Sequence, residues 1–233
     1  MRTLVHLSDL HFGRIDSMMV DSLTTKTLVV PGNHDIPLYD VLSRFAAPLS
    51  YYRKYISSDL EPEYQDEEMV VLGVNTARSW VFPFGEGRIN AAQVDRIVQR
   101  LSTVPPAMLR VIVTHHPFDL PPGVHEQRLL GRSAMAMEKL AMVHADLFLS
   151  GHLHLSHVSH TVDRYQVSGH SALIVQAGTI STRGRGEQPS FNVLQMQRPD
   201  IVLSRHAWDD VAGGFVASEV GRYRHGDRGW KGV

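Results

Sequence analysis

Four short, largely apolar runs in this chain each stop at a group of metal-ligating or proton-carrying side chains. They are residues 3–7 before Ser8-Asp9-Leu10-His11, 27–30 before Pro31-Gly32-Asn33-His34-Asp35, 110–114 before His115-His116-Pro117, and 146–150 before Gly151-His152-Leu153-His154. Aliphatic and β-branched runs of this length read as strands, and Pro31-Gly32 and Gly151 end two of them. Open α/β sheets bind ligands in the crevice outside the carboxyl ends of their strands. One such polar turn would be a loop and nothing more; four of them, each after a strand, predict a single site at one sheet edge.

The residue types suit that reading. In extended backbone the pairs Asp9/His11 and His152/His154 send both side chains to the same side. Asn33 offers a neutral oxygen, His34 a proton donor near neutral pH, and Asp35 a carboxylate that orients an imidazole. The chain has 14 histidines and no cysteine, so a metal would be held by nitrogen and oxygen alone. Gly151 allows close backbone approach.

With 233 residues, 43% of them hydrophobic and 20% charged, the chain has the size and composition of one domain with a sizeable core. A net charge of −1 provides no field to draw it to nucleic acid or an anionic membrane. No apolar run reaches membrane-spanning length and the N-terminus carries no leader pattern, so the expected location is cytoplasmic.

Further elements follow from periodicity. Helices are expected over 15–26, over 39–56 with Val41, Leu42 and Phe45 inward, after an Asn90 cap with Val94, Ile97, Val98 and Leu101 inward, and over 133–143 with Met135, Met137, Leu140 and Met142 as core filler. Residues 69–74 read as a buried strand. The stretches 172–176, 191–196, 201–206 and 214–223 alternate like antiparallel strands. His157 and His160 are expected at the surface. The unit spans 1–223, and 224–233 reads as a frayed tail.

Taken in order, Asp9-Leu10-His11, Gly32-Asn33-His34-Asp35, His115-His116-Pro117 and Gly151-His152-Leu153-His154 resemble the calcineurin-like metallophosphoesterase family. Ser181-Thr182-Arg183 and Ser190-Phe191-Asn192 look most like its bacterial class III cyclic nucleotide phosphodiesterases. The resemblance implies an α/β sandwich of two mixed β-sheets flanked by helices. It implies two divalent ions (manganese, iron or zinc), one held by Asp9, His11 and His154 and the other by Asn33, His115 and His152. His34 would act as general acid or phosphoryl stabiliser, steadied by Asp35, and His116 would support the ligands or line the pocket without being a ligand itself. The activity implied is hydrolysis of a small phosphodiester or phosphomonoester by metal-activated hydroxide. A non-enzymatic metal-binding relative and a nuclease of the same fold are the alternatives.

The chain departs from the family between His11 and Asn33. No strand followed by Gly-Asp lies there, so the fold is expected to be one strand–helix unit short and to lack the bridging carboxylate. Asp16 and Asp21 are the only acidic residues in that interval. The expectation is a strand at Thr27 that still joins the sheet in parallel, at most one tightly held ion, and weak turnover.

Overall fold

The computed structural model describes residues 1–9, 26–37, 40–82, 84–166, 170–181 and 186–233. Two sheets stack face to face. The first, in spatial order β1 (Arg2–His6), β8 (Ser190–Gln197), β9 (Asp200–Asp209), β10 (Gly214–Gly226) and β11 (Gly229–Gly232), is antiparallel throughout. The second runs β2 (Glu63–Gln65), β3 (Met69–Val74), β4 (Leu109–Thr114), β5 (Leu147–Ser150), β7 (Leu173–Gln176) and β6 (His157–His160). Its core β3-β4-β5-β7 is parallel and its edge strands are antiparallel.

Strand alternation builds two cores on the two faces of the second sheet. Met69, Val71, Leu109, Val111, Leu147, Leu149, Leu173 and Val175 point into the space between the sheets, against Leu194, Met196, Ile201 and Leu203. Val70, Leu72, Val74, Ile112, Phe148 and Ile174 point outward, beneath helices α3 (Ala91–Ser102) and α4 (Ser133–Met142). Continuous burial of β3 and β5 follows from covering both faces, as parallel sheets require. Asn90 caps α3 by accepting from Gln93 N–H, and Val94, Ile97 and Leu101 form its inner stripe, as the spacing predicts.

Several expectations are corrected. Residues 27–30 form no strand; Val29 gives its carbonyl to the Tyr52 hydroxyl at 3.0 Å, and the outer edge of β3 pairs with β2. Instead of one helix over 39–56 there are two, α1 (Val41–Ala46) and α2 (Ser50–Tyr55), because Pro48 cannot continue the first. Val41 and Leu42 face solvent, while Arg44 is buried with its guanidinium 4.2 Å from the Phe84 ring centre. Met142 is exposed at the helix end. β7 lies in the parallel core instead of an antiparallel meander. His157 and His160 are half-buried on β6. The helix expected over 15–26 lies outside the described residues except for Lys26. No helix among the described residues is long and apolar enough to cross a membrane.

The expected tail is also corrected, because 224–233 closes the first sheet. Trp230 on β11 is fully buried, and its indole N–H donates to Asp146 Oδ1 at 2.9 Å. The other oxygen of Asp146 accepts from Arg110 N–H at 3.0 Å. One carboxylate therefore joins the last strand to β4 and β5. Replacing Trp230 by Ala should lower unfolding free energy by about 3–5 kcal/mol in urea denaturation. A change under about 0.5 kcal/mol is what a frayed tail would give.

Candidate metal centre

The carboxyl ends of β1, β4 and β5 meet the 3₁₀ turn Asn33–Asp35 at one edge of the sandwich. The Asp9 side chain is 1% exposed. Its Oδ2 accepts from Ser8 Oγ and from the His152 backbone N–H, both at 2.8 Å. Its main-chain carbonyl accepts from Thr179 Oγ1 at 3.0 Å. Oδ1 lies 3.3 Å from His154 Nε2 and 4.0 Å from His115 Nε2. Asn33 Oδ1 is 2.8 Å from His115 Nε2. Ring nitrogens of His115, His116 and His152 lie within 4.8 Å of one another. Asp9, Asn33, His115, His152 and His154 thus converge from four segments. His11 lies outside the described residues, as do Asp16 and Asp21.

The local backbone is not the extended one expected. Asp9, His152 and His154 have φ of 53°, 71° and 60°, a region that side chains other than Gly rarely occupy. Leu153 N–H donates to Gly151 O at 2.9 Å, which makes His152 the centre of a γ-turn. The two imidazoles are therefore aimed by left-handed backbone and not by strand alternation. Such strain, about 1–3 kcal/mol per residue, persists where the surroundings over-determine it, and it concentrates at functional sites. Gly151 is required by contact: a Cβ there would lie 1.5 Å from Ser8 Oγ and 2.8 Å from Asp9 Oδ2. Gly32 stands likewise against the His115 ring, and Gly87 against the His116 ring.

Burial holds the His115 imidazole neutral, at a pKa of about 3, against the raising effect of Asp9; His152, His34 and His154 lower it further. Burial also works to raise the Asp9 carboxyl. The hydrogen bond from His154, the electrostatic pull of the His115 and His154 rings and the Ser8 hydroxyl outweigh it, leaving Asp9 well below the usual carboxylate range. Neutral imidazole and ionised carboxylate are the metal-binding forms. Two His, one Asn oxygen and no sulfur at the Asn33 corner suit manganese, iron or zinc.

His34 is exposed at the mouth, near enough to His115 to influence it electrostatically. Asp35 Oδ2 accepts from Gly32 N–H at 2.8 Å and closes the turn that presents Asn33 and His34. His116 is fully buried, with Nε2 donating to Gly85 O at 3.1 Å and Nδ1 accepting from Thr76 Oγ1 at 2.8 Å. Both of its ring nitrogens are thus engaged by protein partners.

The chain superposes on a dimetal phosphatase from Danio rerio with a TM-score of 0.56 over 90% of this chain and 80% of that one, at 13% identity. This protein has the calcineurin-like metallophosphoesterase fold. A Vacuolar Protein Sorting 29 structure from Cryptosporidium parvum aligns at 0.38 and 15% identity, over 88% and 77% of the two chains, too distantly to add to that. No family model matches the sequence, and no curated protein matches it significantly.

Sequence reasoning missed Glu86 and Arg128. Glu86 is buried, with Oε2 3.7 Å from His152 Nε2, and Arg128 Nη1 lies 3.2 Å from Glu86 Oε1. Glu86 follows no apolar strand, so the pattern that marks the other ligand-type residues does not reach it. Gly151→Ala should cost at least about 1–3 kcal/mol in chemical denaturation, through overpacking. Gly214→Ala, where a Cβ meets nothing within 4 Å, should change stability by under about 0.5 kcal/mol.

Proposed function

We propose that the protein is a metal-dependent phosphoesterase acting on small phosphoric esters, phosphodiesters of the cyclic-nucleotide kind foremost. The observation that carries this is the convergence of Asp9, Asn33, His115, His152 and His154 at one edge of a dimetal-phosphatase fold. A net charge of −1 disfavours a nucleic-acid substrate.

In this reading Asn33, His115 and His152 hold one divalent ion. Asp9 and His154, with His11, belong to a second position. Two dications about 3.5 Å apart repel by roughly 19 kcal/mol at an effective dielectric near 20. With no Gly-Asp carboxylate between His11 and Asn33 to offset that, one tightly held ion is expected. A bound divalent ion supplies Lewis acidity that activates water and neutralises charge developing on the phosphoryl oxygens. The chain's own residues do the rest. Asp9, ionised, orients His154 and fixes the His152 backbone. His34, presented at the mouth by the Asp35-closed turn, donates a proton to the departing oxygen.

Protein purified without chelator should carry about one tightly bound equivalent of manganese, iron or zinc by elemental analysis. It should slowly hydrolyse an aryl phosphodiester such as bis(p-nitrophenyl) phosphate. Metal-free protein in every preparation would overturn the proposal; bound metal without turnover would favour the binding-protein alternative. His34→Ala should lower turnover about 10²–10⁴-fold with metal content unchanged. Loss of metal in that variant would move His34 among the ligands.

A further inference from the structure

Glu86 is 8% exposed, and its two oxygens are treated differently. Oε1 accepts from Arg128 Nη1 at 3.2 Å. Oε2 is buried, has no hydrogen-bond partner among the described residues, and points at His152 Nε2 from 3.7 Å. Arg128 Nη1 is also 3.4 Å from that same nitrogen. The backbone on either side of Glu86 is pinned: Gly85 O holds the His116 ring, and Gly87 lies so close to that ring that a Cβ would clash with it. The carboxylate is therefore delivered to the centre by a fixed stretch of chain.

From this geometry we infer that Glu86 is a ligand of the divalent ion held by Asn33, His115 and His152, through Oε2. The inference rests on the metal-centre reading above and deepens it. Three facts carry it. A buried carboxylate oxygen without a donor is costly unless a cation or a proton completes it. Asn33, His115 and His152 are all neutral donors, so a dication there would otherwise have no compensating charge among its own ligands. Finally, a ligating carboxylate characteristically has its second oxygen held by an outer group, which is the position of Arg128 on Oε1. A purely structural Glu86–Arg128 pair accounts for Oε1 alone. It leaves unexplained why Oε2 is buried against a ligand-type histidine.

The test is Mn²⁺ affinity by titration calorimetry on chelator-stripped full-length protein, for the wild type, Glu86→Gln and Arg128→Leu. Both variants break the same ion pair; only the first removes the ligand. Loss of an outer-shell partner typically costs about 10–100-fold in metal affinity, so Arg128→Leu should fall near the lower end of that range and Glu86→Gln beyond its upper end. The Mn²⁺-induced rise in melting temperature should vanish for Glu86→Gln and persist for Arg128→Leu. If Glu86→Gln does not fold, Glu86→Asp, which keeps the charge but withdraws the carboxylate by one methylene, carries the same comparison. Equal losses in the Glu86 and Arg128 variants, or wild-type affinity in Glu86→Gln, overturn the assignment while leaving the metal centre intact. A wild type that takes up none of Mn²⁺, Fe²⁺ and Zn²⁺ removes both readings together.

Discussion

The carboxylate of Asp9 joins the two sheets at the functional edge, and the geometry of the centre depends on that join. Asp9 follows β1 of the antiparallel sheet, yet its Oδ2 holds the backbone of His152 just past β5 of the other sheet, and Oδ1 faces His154. The contact is possible only because Gly151 has no side chain where Ser8 and Asp9 sit. Three residues at this join, Asp9, His152 and His154, occupy left-handed backbone. The packed sandwich thus supplies the free energy that holds a strained, ligand-dense edge in place.

At the amino-terminal end of β5 another buried carboxylate ties the sheets together. Asp146 accepts from the Trp230 indole and from the Arg110 backbone, and Arg198 lies 3.5 Å away. Between these two ties lies the apolar layer of the inter-sheet core, whose members come from alternate positions of every central strand. Burial on both faces explains why β3, β4 and β5 are nearly continuous aliphatic runs.

Electrostatics at the functional edge are divided between neutral rings and ionised carboxylates. Burial strips His115 of charge, while Asp9 is kept ionised by the imidazoles it faces. Glu86 adds a second buried acid on the His152 side, steadied by Arg128. A cation is the species that such a collection of lone pairs and negative charge accommodates best.

The sequence by itself determined that β3, β4 and β5 are buried strands, where α3 and α4 lie, and that Asp9, Asn33, His115, His152 and His154 share one edge. Those properties are local: period-2 and period-3.6 apolar patterns, the Asn90 cap, and glycines next to ligand-type side chains. Asp9, Asn33, His115, His152 and His154 were legible because each follows or interrupts an apolar run. What the tertiary structure alone decided depends on neighbours far away in the chain. Residues 27–30 form no ladder, and Val29 bonds the Tyr52 hydroxyl of α2 instead. Residues 224–233 form a strand because Trp230 finds Asp146. Turns, not extended backbone, aim His152 and His154. Glu86 enters the centre from a loop with no pattern of its own, since burial of a single carboxylate is decided by packing around it and leaves no periodic trace in the chain.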